Sequence, residues 1–163
     1  MSFKALITLL REEQKVHEKL LLAKREEQKL IVTARPAALL KNTEKISLLA
    51  EQARNLEEKR VELTEALAEK LGVGGRPVIL KRLLDVQPPE NRIELEKTGE
   101  RLKILAREIK AVNQSNSLLL RKTLEIVNQE IAGLIQPEES GLYTSGGTKA
   151  HGPVLRAGLN LRA

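Results

Sequence analysis

His17 and His151 are the two histidines of a 163-residue chain that has no cysteine. Imidazoles could ligate a metal or shuttle protons, but these lie far apart, one inside a helical stretch and one near the end. No metal-ligand spacing and no nucleophile–base pair results. Gly72, Gly74 and Gly75 followed by Lys81 offer the residue types of a phosphate-binding loop, yet neither the spacing nor a preceding strand is present. Paired carboxylates such as Glu12 with Glu13 and Glu26 with Glu27 belong on solvated helix faces, since acid–base work needs them in a cleft. Asn113–Ser115 matches a glycosylation acceptor formally, but inside a helix and without a secretion signal it counts for nothing. The reading is that of a protein that catalyses nothing, with no cofactor and no metal.

The elements that carry these residues explain the scarcity. The hydrophobic class makes up 41% and the charged class 31%, with two aromatics, Phe3 and Tyr143, and no Trp. Aromatics dominate pocket and core energetics, so this chain must bury itself with Leu, Ile, Val and Ala, the residues of helix seams. The abundance of Ala, Glu, Lys, Leu and Arg is the composition of long helices or coiled coils. No apolar run approaches the ~20 residues that cross a bilayer, and Met1–Leu10, though apolar, is followed at once by Glu12 and Glu13 and reads as a helix start. The expected location is cytoplasmic, without membrane insertion. The net charge of +6 is scattered along faces of alternating sign, with no basic cluster. Nucleic acid is therefore not an expected partner.

Punctuation and periodicity predict an all-α chain: an elongated antiparallel helical hairpin or bundle of three long helices plus one short helix, with a flexible C-terminal tail. The helices are expected at about 2–34, 36–71, 77–86 and 90–135, forming one domain over 1–136, with a tail over 137–163. Ser2 is a plausible cap for the first, whose seam is Phe3, Leu6, Leu10, Leu20 and Ile31. Glu13 and Glu27 fall where that seam should be apolar, which predicts loose packing. Pro36 suits the first turn of the second helix, with a seam of Ile46, Leu49, Ala53, Leu56, Leu63 and Leu67 interrupted by Arg60. Gly72 supplies a left-handed cap. Pro88 and Pro89 open the longest helix, ~70 Å at 1.5 Å per residue. Its seam is Leu95, Leu102, Leu105, Ile109, Val112, Asn116, Leu119 and Ile126, and Gly99 is expected to let its start fray or bend.

Two features exceed this background. After Asn116 the apolar residues of the last helix spread over roughly 180°, against the ~100° of an ordinary core-facing stripe. The surplus is either packed by the short third helix or offered to a partner helix. Tyr143, with Leu142 and between Gly141 and Gly146, is an aromatic in a segment with no helical periodicity, and so a candidate docking residue.

The stretch VNQSNSLLLRKTLEIVNQEI at Val112–Ile131, the Asn pair Asn113 and Asn116, and a Tyr soon after the helix ends together resemble FlgN-type flagellar export chaperones. LLREEQKVHEKLLLAKREEQKL at Leu9–Leu30 and LEEKRVELTEALAEKLG at Leu56–Gly72 resemble the opening hairpin of that family. The likeness covers nearly all of residues 3–149, departing by Pro36 and by the longer basic end His151–Ala163. It implies a chaperone that binds the C-terminal helices of the hook-associated proteins joining hook to filament, keeps them from assembling early, and brings them to the export gate. The family's client surface maps onto Leu120, Leu124, Val127, Ile131 and Leu134 and its gate contact onto Tyr143, while Asn113 and Asn116 are read as polar residues of the helix seam. A rival reading is a structural coiled-coil adaptor or homodimer whose wide apolar face self-associates, and the oligomeric state stays open.

Overall fold

The computed structural model describes residues 3–72 and 89–135, with side chains of the latter from 91. They form three helices, and no strand occurs among the described residues: α1 (Phe3–Val32), α2 (Pro36–Lys70) and α3 (Pro89–Ile135). The expected short helix at 77–86, the cap Ser2 and Tyr143 with its tail lie outside the described residues. The chain divides into two compact units, Met1–Val127 and Asn128–Ala163. The core is in the first. Of the second, the described residues 128–135 are helical and exposed.

The turn from α1 to α2 shows why so few residues suffice. Arg35 N–H donates to the Leu30 carbonyl at 3.1 Å and Ala34 N–H to that of Ile31 at 3.2 Å. This is the paired closure of a Schellman motif, which needs a left-handed residue at its centre. That residue is Ala34, at φ +49°. Pro36 follows at the start of α2, where its missing N–H costs nothing. At the far end of α2, Gly72 takes φ +67° and its N–H bonds to the Glu69 carbonyl, as expected of a glycine cap.

α1 and α2 meet through two apolar clusters. Leu6, Ile7 and Leu10 pack with Leu67, Ala68 and Leu95; Leu20 and Ala23 pack with Ile46 and Leu49. Low numbers in α1 meet high numbers in α2. Between the clusters lies the residue pair that broke both predicted seams: Arg60 Nε donates to Glu13 Oε2 at 2.9 Å, and Glu13 is buried. The two interruptions are one another's partner. The expected loose packing gives way to an ordered polar layer, because a carboxylate and a guanidinium placed at the same level satisfy each other's charge. The His17 ring adds a local bond, its Nδ1 2.9 Å from the Glu13 carbonyl.

α3 runs unbroken through Gly99. Leu95 and Leu105 are fully buried, with Thr98 nearly so. Outside the seam, Lys103 Nζ donates to Glu100 Oε1 at 2.6 Å and holds that exposed carboxyl below the ordinary carboxylate range.

Candidate functional site

The residues of α3 that face its neighbours recur every seventh position. Leu95, Leu102, Ile109 and Asn116 form one row; Thr98, Leu105, Val112 and Leu119 form the other, and all eight are buried or half-buried. The next members of those rows are Thr123, Ile126, Glu130 and Gly133, and only Ile126 is apolar. Burial stops at the same point. Every residue from Leu120 to Ile135 is exposed. Ile126, expected in the seam, is among them, because α1 ends at Val32, one turn beyond the Gln28 that meets Ser115 at 2.9 Å.

Asn116 marks the boundary. It is 2% exposed, and its Nδ2 donates to the Lys24 carbonyl and to Glu27 Oε2, both at 2.8 Å. Lys24 Nζ reaches the same carboxylate oxygen at 3.0 Å. Glu27, the second predicted seam defect, is therefore also a buried and partnered group. Asn113 is exposed, and its carbonyl accepts from Ser117 Oγ at 2.9 Å. At 100° per residue it lies about 60° round the helix from Asn116, on the side away from Val112 and Leu119, which takes it off the seam.

Beyond Asn116 the apolar character of α3 shifts by one residue. Leu120, Leu124, Val127, Ile131 and Leu134 each follow directly after a seam-row position, so they lie on a face turned by about 100° from it. By the helical repeat the five share an arc of about 80°. Their exposures are 36%, 61%, 42%, 49% and 85%, with Ile135 exposed on the flank. The wide apolar arc expected after Asn116 includes Ile126 and Ile135, also exposed, and the stripe lies open because its face is turned from the seam and α1 ends. Apolar side chains left in water at alternating intervals of four and three present what one face of a partner helix would bury. No titratable cluster accompanies them. Among the described residues no group of three His, Asp or Glu is placed to hold a metal, and no helix is long and apolar enough to cross a membrane.

The family model described as FlgN protein matches residues 1–151 of the chain, the whole of α1, α2 and α3 included. The chain belongs to the FlgN family. No curated protein and no solved structure matches it. FlgN proteins are flagellar export chaperones, a family not known for enzymes, and they bind hook-associated proteins of the flagellum. The exposed stripe lies within the residues of this FlgN protein that the family model matches.

The signal that sequence reasoning missed is the pairing of polar residues between helices. Glu13 with Arg60 and Glu27 with Asn116 stand out in the sequence one at a time, as defects of separate seams.

Proposed function

We propose that this chain is a cytoplasmic chaperone of flagellar type III export. It binds the C-terminal helical region of the hook-associated proteins that join hook to filament, prevents their premature assembly, and delivers them to the export gate. The client helix lies along Leu120, Leu124, Val127, Ile131 and Leu134, and Tyr143 docks at the gate. In this reading residues 1–136 are a helical domain, with α1 and α2 as an antiparallel hairpin followed by α3; the short helix expected at 77–86 and the tail expected at 137–163 lie outside the described residues.

The observation that carries the reading is the stripe itself: five aliphatic side chains on one arc, all exposed. Proteins that polymerise through terminal helices are blocked when those helices are covered. Burying ~500 Å² of apolar surface at ~25 cal/mol per Å² gives a gross gain of order 12 kcal/mol. Ordering a mobile client and losing rigid-body freedom consume much of it, so moderate and releasable affinity follows. Co-expression with candidate hook-associated proteins and co-purification tests this directly.

A second reading rests on the same alternating spacing, which would also let two copies pair as a coiled-coil adaptor. Sedimentation separates the two. A chaperone forms a stoichiometric complex with its client, whereas an adaptor stays self-associated in the client's presence.

A further inference from the structure

Three ion pairs cross from α1 to α3 in a regular ladder. Arg11 pairs with Glu94, Glu18 with Arg101 at 3.6 Å, and Arg25 with Glu108 at 3.1 Å. The partners stand at one constant separation of 83 residues, and the rungs recur every seven residues on each helix. The polarity alternates: base to acid, acid to base, base to acid.

These side chains are substantially exposed, and exposed pairs contribute little to stability. Their order carries information instead. If α3 slid by one heptad so that higher numbers met α1, Arg11 would face Arg101 and Glu18 would face Glu108. If it slid the other way, Glu18 would face Glu94 and Arg25 would face Arg101. Both shifts create two like-charge pairs.

The apolar rows cannot make that distinction. Leu95, Leu102 and Ile109 succeed one another at seven-residue intervals, as do Leu105, Val112 and Leu119, so a slipped α3 would still present aliphatic residues to α1. Chain connection does not fix the register either. Residues 73–88 separate α2 from α3, a length whose extended reach of roughly 50 Å far exceeds the ~10 Å of one heptad. The buried layer at the end of the ladder acts in the same sense as the rungs. Slippage would bring Glu27 opposite Thr123 or Ile109 in place of Asn116, stripping a buried carboxylate of its amide donor. Asn116 Oδ1 is itself buried without a hydrogen-bond partner. A single buried polar residue in an apolar seam sets register at a cost in stability, and opposed charges discriminate by repulsion as much as by attraction.

The geometry points to Arg11, Glu18, Arg25, Glu94, Arg101 and Glu108, closed by Glu27 and Asn116, as positioning residues that lock α3 in one axial register on α1. They thereby set where the apolar stripe leaves the bundle. That consequence rests on the stripe being the client surface; the register lock does not.

The test exchanges the middle rung. Glu18→Arg with Arg101→Glu keeps all three native pairs attractive but makes each helix uniform in charge, so slipped pairs become attractive too. Combined with Glu27→Leu and Asn116→Leu, it removes the discrimination of both the ion-pair ladder and the buried polar layer. The chain has no native cysteine, so spin labels at Lys19→Cys and Arg121→Cys, both exposed positions, report the axial distance cleanly. The parent gives one distance; the fourfold variant gives a second population displaced by roughly 10 Å. Adding a disulfide through Gln28→Cys and Ser115→Cys restores the single distance. If the fourfold variant fails to fold, the rung exchange alone, which touches no fully buried residue, shows the second population as a minor species. The single parental distance in every folded variant overturns the proposal. A split distance with unchanged capture of a hook-associated protein upholds the lock and counts against the stripe as the client surface.

Discussion

The amide nitrogen of Asn116 lies 2.8 Å from Glu27 Oε2, joining α3 to α1 at the last buried level before the apolar stripe begins. The second hydrogen of the same amide goes to the Lys24 carbonyl, so the side chain is oriented by two acceptors and cannot turn over without setting oxygen against oxygen. Replacing it has a definite cost. Asn116→Leu removes the amide donor of a buried carboxylate and should destabilise by about 1–3 kcal/mol. Glu27→Leu in addition should recover most of this, since Lys24 can then extend to water. Urea denaturation of the two variants measures both terms.

The Glu13–Arg60 layer behaves similarly between the two apolar clusters. Arg60→Leu strands a buried carboxylate and should cost about 3 kcal/mol, while Glu13→Leu with Arg60→Leu should be close to neutral or stabilising. A double variant as unstable as the single one would show that the pair itself, and not the stranded charge, holds the clusters together.

Ala34 carries left-handed strain that glycine would not. The strain is worth about 1–2 kcal/mol, and glycine's greater freedom in the unfolded chain returns about 0.4–1 kcal/mol of it. Ala34→Gly should therefore stabilise by about 0.5–1 kcal/mol and raise Tm by about 2 °C. A lower Tm by calorimetry would contradict the assignment of the turn.

Tyr143→Ala separates capture from delivery. Client binding by the full chain should be unchanged and export reduced. Equal loss of both would refute that division of labour.

Much of this was legible from punctuation. Pro36, Gly72 and Pro89 mark the ends of α2 and the start of α3, and the Leu and Ile periodicity gives the buried faces. Glu13, Glu27 and Arg60 were read as faults because periodicity treats each helix alone; their partners are fixed only by the register between helices. Ala34 hid the Schellman turn because the usual glycine signal is missing there, leaving only Pro36 just downstream. The apolar excess of the stripe is legible in the sequence, whereas the point at which burial ends is set by where α1 stops against α3. The short helix expected at 77–86 and the tail with Tyr143 lie outside the described residues.

The central claim is that the exposed aliphatic stripe of α3 binds the client. Val127→Asp with Ile131→Asp tests it most directly, because both side chains are exposed and neither contributes to the buried clusters. Circular dichroism and Tm should match the parent, while capture of a hook-associated protein in a pull-down with purified components should be lost. Retained capture by the folded double variant would contradict the account.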